Sequence, residues 1–100
     1  MFKLFENGNK GKEVIVLCGC CWEKDGLGNN KAMYQMEPMV FASRALAMKQ
    51  IRKIMKDTEA EGAELEYGVK CEWKSEFNTL EIKFEDGTIE DWVLYEKVIQ

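Results

Sequence analysis

Four cysteines are the residues whose type and spacing come nearest to bond-making chemistry: Cys18, Cys20 and Cys21 in one segment, and Cys71 far downstream. Four thiolates can hold zinc or an iron–sulfur centre in tetrahedral geometry. Such a site needs its ligands to converge. Alternation along a strand sends Cys18 and Cys20 to one face and Cys21 to the other, and the Cys-x-x-Cys spacing of metal knuckles is missing. A redox or nucleophilic cysteine is the second reading. It needs a cation or a helix N-terminus beside the thiol, and only Lys24 is close in sequence. The plainest reading treats all four as small apolar residues in a reducing compartment.

The chain has no histidine. This excludes Ser-His-Asp and Cys-His activation, imidazole-ligated zinc and an imidazole proton shuttle. Acid–base work would fall to carboxylates, lysine, tyrosine or cysteine. A carboxylate pair of the glycosidase kind needs a saccharide cleft between the two acids, and no pair is marked as buried. The expectation is a chain without catalytic residues, metal or cofactor.

Charge is the feature left to explain. Residues 59–100 carry twelve acids against four lysines, and residues 1–58 carry ten bases against six acids, within a net charge of −4. Such a split favours a basic partner at one end and speaks against direct nucleic-acid binding by the whole surface. Two candidate surfaces follow. The acidic set is Glu72, Glu76, Glu81, Glu85, Asp86, Glu90, Asp91 and Glu96, which alternation sends mostly to the solvent face of the C-terminal strands. The basic set is Lys49, Arg52, Lys53 and Lys56, spaced i, i+3, i+4 and i+7 on one helix face. The bland explanation of both is solubility and protection of sheet edges. The functional one gives the acidic sheet a protein partner with a basic surface.

These residues need elements to hold them. At 100 residues the chain makes one domain, 1–100. Phe2-Lys3-Leu4-Phe5 reads as a short strand and Asn7-Gly8 as a hairpin turn. Val14-Ile15-Val16-Leu17, apolar on both faces, reads as a buried strand running toward Trp22. Residues 24–31 read as an exposed loop. Pro38 marks a helix start, and residues 39–60 contain neither Gly nor Pro. Val40, Phe41, Ala47, Met48, Ile51, Ile54 and Met55 form its apolar stripe, and Gly62 reads as its C-cap.

Beyond the helix the period becomes two. Val69, Cys71 and Trp73 alternate with Lys70, Glu72 and Lys74, and Leu80, Ile82 and Phe84 with Glu81, Lys83 and Glu85. Asp86-Gly87 makes the next turn. A bulge near Glu90-Asp91 is expected, to bring Trp92 and Leu94 onto the core face. The fold class is then α+β, one long helix on one face of an antiparallel sheet in the order β(β)αβββ. Phe41, Met48, Ile51 and Met55 should pack on Val16, Leu80, Ile82 and Trp92.

The apolar run at residues 14–22 is far short of the ~18 residues of a membrane span. Leu17-Cys18-Gly19-Cys20 has the outline of a lipoprotein lipobox, but a polar stretch precedes it. A cytoplasmic protein is expected. In size, acidity and helix-on-sheet plan, and in the hairpin Thr79-Leu80-Glu81-Ile82-Lys83-Phe84-Glu85-Asp86-Gly87-Thr88-Ile89-Glu90-Asp91-Trp92, the chain resembles small phage-encoded inhibitors of the anti-CRISPR type. That resemblance implies a non-catalytic inhibitor that docks on a bacterial nuclease or ribonucleoprotein complex in the host cytoplasm.

Overall fold

The computed structural model describes residues 13–24 and 26–98. The strand expected at residues 2–5 and the turn at 7–11 lie outside them. The elements are β1 (Glu13–Lys24), β2 (Asn30–Gln35), β3 (Met39–Phe41), α1 (Arg44–Glu64), β4 (Val69–Lys74), a 3-10 turn (Ser75–Phe77), β5 (Thr79–Phe84) and β6 (Ile89–Val98). All strand pairs are antiparallel, in the order β2-β1-β6-β5-β4. β3 joins β2 along the same edge of β1, and the Met36 N–H bonds to the Gly19 carbonyl between them. One helix on an antiparallel sheet makes the fold α+β, with three strands before the helix among the described residues.

The part ahead of the helix departs from the sequence reading. Residues 24–31 are not all loop, because β1 runs to Lys24 and β2 begins at Asn30. Residues 39–41 are a strand rather than a first helical turn. Pro38 biases the residue before it to extended backbone, and Met39, Val40 and Phe41 then pair with Leu17, Val16 and Ile15. The helix begins where it is capped: the Ser43 hydroxyl accepts from the Leu46 N–H at 3.3 Å. From there the chain must travel from the β3 edge to β4 on the far edge. A helix of 21 residues, about 30 Å long at 1.5 Å per residue, covers that span.

Gly62 does not cap the helix. It is buried inside the last turn, where a Cβ would lie 2.7 Å from Val69 Cγ2 and 3.0 Å from the Tyr67 carbonyl oxygen. The smallest residue is there so that helix and β4 can approach. The helix ends in a Schellman motif, with the Tyr67 N–H on the Gly62 carbonyl and the Glu66 N–H on the Ala63 carbonyl. Glu66 takes the left-handed position at φ 54°, a place that favours glycine.

The core is Ile15, Leu17, Ala47, Ile51, Leu80, Ile82, Trp92 and Leu94, with Phe41, Met48 and Met55 packed around it. Val16 is not part of it. It pairs with Tyr95 on the outer face, while its neighbours Ile15 and Leu17 face the helix. The bulge expected at Glu90-Asp91 is absent too. β5 and β6 pair without interruption, Leu80 opposite Trp92 and Ile82 opposite Glu90. The extra residue sits in the turn instead. Phe84 bonds across to Thr88 around a three-residue loop whose Gly87 has φ 92°. That turn alone brings Trp92 and Leu94 onto the core face, and it carries Glu90 with them.

Candidate functional site

Register separates the cysteines. Cys18 and Cys20 lie opposite Val93 and Asp91 on the outer face, and Cys21 and Cys71 lie opposite Glu90 and Ile82 on the helix side. Among the described residues no three of Cys, Asp, Glu or His converge as metal ligands. Burial, then Asp91, pushes the Cys20 thiol up, and burial, then Glu59, does the same at Cys71. Both environments favour the thiol over the reactive thiolate.

Lys49, Arg52, Lys53 and Lys56 do share one exposed face of α1. They border a hollow of about 620 Å³ with Phe41 and Leu46. Lys53 is paired with Asp57 at 2.8 Å.

The eight acids do not make one surface. Glu72, Glu81 and Asp91 stand side by side on the outer sheet face, Glu72 opposite Glu81 and Glu81 opposite Asp91. That face also carries Lys70, Lys74, Lys83 and Lys97 by the same alternation, and Glu81 meets Lys74 at 3.2 Å and Lys83 at 3.5 Å. The outer face is therefore mixed in charge, which corrects the expectation of an acidic sheet. Glu76 sits in the 3-10 turn at the opposite end of β4 from Glu85 and Asp86. Glu96 pairs with Ile15 on the helix side, exposed, beyond the core.

The acids that do gather stand where α1 ends. A cleft of about 470 Å³ is lined by Glu61 and Glu90 together with Thr58, Leu65, Tyr67 and Phe84, and among the described residues no lysine or arginine lines it. Glu90 reaches the helix side because of the register, and its carboxylate accepts the Trp92 indole N–H at 2.7 Å. The β5–β6 turn closes the same end: Glu85 accepts the Gly68 N–H at 3.1 Å, and the Asp86 N–H donates to the Tyr67 hydroxyl at 3.2 Å. Hydrogen bonds from Thr88, then from Tyr67, hold the Asp86 carboxyl below its usual range, so it stays ionised.

Stability alone does not explain this arrangement. The C-terminal end of a helix is its negative pole, yet the last turn holds Glu61 and Glu64 and no base. Glu66 follows in a conformation that suits glycine. Leu65 is left 67% exposed at the rim, an apolar contact in an acidic surround. Glu61, Leu65 and Tyr67 were not among the candidates that sequence offered. Their signal was present as two acids in a last helical turn followed by an apolar and an aromatic residue.

Compared with known proteins, the chain matches no family model, no curated protein and no solved structure.

Proposed function

We propose that this chain is a non-catalytic binding protein that seats the acidic end of its helix on a basic protein surface. The reading is carried by the cleft beside the helix C-terminus, where Glu61 and Glu90 surround Leu65, Tyr67 and Phe84 without a basic residue in the lining among the described residues. Carboxylates give such a surface fast, oriented encounter with lysines and arginines. The apolar residues between them give it contact area that can hold a partner after encounter. Basic clefts that accept phosphate backbones offer the matching surface, which agrees with the inhibitor mode implied by the resemblance to anti-CRISPR proteins. The acids of the outer sheet face, interleaved with lysines, contribute little to this reading.

The test is capture of partners from bacterial lysate at low salt, with the retained protein identified and quantified for three variants. Glu61→Lys and, separately, Glu85→Lys should lose the basic protein that the parent retains. Asp86 is left intact because it builds the turn through Thr88. Lys49→Glu with Lys53→Glu, on the helix stripe, should retain that protein. Loss with the stripe variant and retention with both acid variants would move the docking surface to the basic face and end this reading.

A further inference from the structure

The outer face of the sheet holds a second hollow, on the opposite face from the acidic cleft and sharing no lining residue with it. It measures about 360 Å³, and its lining includes Cys18, Trp22, Met36, Pro38, Asp91 and Tyr95. A smaller hollow of about 180 Å³ adjoins it and shares Trp22 and Asp91. The register explains the grouping: Trp22 lies opposite Ile89, Asp91 opposite Cys20, and Tyr95 opposite Val16, all on the face that α1 does not cover.

Two polar groups here lack what they need. The Trp22 indole N–H is out of solvent and, among the described residues, completes no well-formed hydrogen bond; the Asp91 carboxyl beside it is its natural acceptor. Asp91 stands close enough for the indole N–H to favour its charged form. Burial, then Glu81, nevertheless pushes the carboxyl up, and Lys74 offsets this only in part. Lys74 is already held by Glu81 at 3.2 Å. A cation placed on Asp91 would hold it as carboxylate and leave an oxygen for the indole N–H. The aromatic wall at Trp22, one register step from Asp91, suits a flat, weakly hydrated cation better than a compact ammonium.

We infer that this hollow is an arginine-binding subsite, in which a partner's guanidinium pairs with Asp91 beside Trp22 and its stem runs along the face toward Tyr95. The site goes beyond the docking proposed at the helix end and does not depend on it. An arginine inserted into an apolar, aromatic pocket with a carboxylate at its base is the composition of an interface anchor. Met36 and Pro38 cover the stem, and Asp91 takes the charge.

The probe is arginine amide, with citrulline amide as its neutral isostere and lysine amide as the compact cation. The readout is the indole N–H resonance of Trp22 in a nitrogen-15 correlation spectrum, assigned by its loss in Trp22→Phe. Arginine amide should shift that resonance saturably at low salt, with millimolar affinity, and the Asp91→Asn protein should bind it about tenfold more weakly or worse. A shift of equal size with citrulline amide, equal affinity for lysine amide, an unchanged affinity in Asp91→Asn, or no saturation at the solubility limit would each overturn the assignment. Circular dichroism of Asp91→Asn shows whether that protein keeps its fold. Should it not, Asp91→Ser, which also removes the charge, takes its place and must show the same loss; binding unchanged in a folded Asp91→Ser protein would overturn the assignment. None of these outcomes bears on Glu61 or Glu85, so this site and the acidic cleft stand or fall separately.

Discussion

Replacing Glu61 by lysine separates what the helix end contributes to stability from what it contributes to binding. Glu61 lies in the last turn of α1, beside the negative pole of the helix, with Asp57 four residues before it and Glu64 three after. Lysine reverses all three contacts. Turning an unfavourable charge at a helix terminus into a favourable one is worth about 0.6–2 kcal/mol, twice the usual single effect. Each like-charge pair that becomes an opposite pair adds about 0.4–1 kcal/mol. Solvent exposure and the existing bond of Asp57 to Lys53 at 2.8 Å bring the total to or just below the lower end of that sum, about 1–1.5 kcal/mol. For a domain of 100 residues that raises Tm by about 4–10 °C. The assay is a thermal melt followed by circular dichroism at low and at high salt, beside the capture experiment. The gain should be largest at low salt and shrink as the Debye length falls to about 3 Å at 1 M, while partner capture is lost. A lower Tm, or a gain that salt does not touch, would refute the electrostatic account of this end. A higher Tm with capture intact would refute its role in docking.

Ile51→Ala, at the centre of the core with no exposed surface, should cost about 2–5 kcal/mol in urea unfolding. A loss below about 1 kcal/mol would place the helix face elsewhere. Gly62→Ala should destabilise by about 1–3 kcal/mol although alanine is the better helix former, because its Cβ would meet Val69 Cγ2 at 2.7 Å. A rise in Tm would mean that α1 and β4 are farther apart. Asp91→Asn should raise stability at pH 7, since burial and Glu81 lift the folded carboxyl above its ordinary range. A raised carboxyl contributes stability below its unfolded pKa and loses it as pH rises through the folded one, so the advantage of asparagine must fade on acidification. An advantage that persists in acid would show that Asp91 is not strained by its charge.

The elements that could be read from sequence are those whose pattern is self-sufficient. Leu80, Ile82, Val69 and Trp73 alternate with polar residues and sit in strands that need only their own period to be recognised. Ile51, Ile54 and Met55 mark the helix for the same reason. What escaped was set by contacts between distant residues. Asn-Lys-Ala-Met-Tyr-Gln has no strand-like alternation and forms β2 because β1 extends far enough to pair with it. Val40 and Phe41 fit a helical stripe equally well, and only the pairing of Met39, Val40 and Phe41 with Leu17, Val16 and Ile15 decides for a strand. The acidic site failed on a single residue of register. A two-residue turn at Asp86-Gly87 would have required a bulge at Glu90-Asp91. The three-residue turn places Glu90 toward the helix and Asp91 away from it, so two adjacent acids serve different faces. The basic stripe was legible because one helix carries all of it.

The opposition of basic and acidic halves in the sequence becomes, in the fold, a polarity along the helix rather than between helix and sheet. Arg44 stands at the positive pole with no acid in the first turn, and Lys49, Arg52, Lys53 and Lys56 follow; Glu61 and Glu64 stand at the negative pole with no base beside them. Helices ordinarily carry the reverse arrangement, which cancels the field of the backbone dipole and stabilises both ends. Here the side chains add to that dipole. The molecule forgoes several small stabilising terms and gains a field directed along one axis, with its negative end at the cleft of Glu61 and Glu90. On the proposed docking, such a field would act on approach before any contact forms, turning the basic surface of a partner toward the cleft. Cancelling charge at one end should therefore slow association more than it speeds dissociation, whereas trimming Leu65 or Tyr67 should act on dissociation alone.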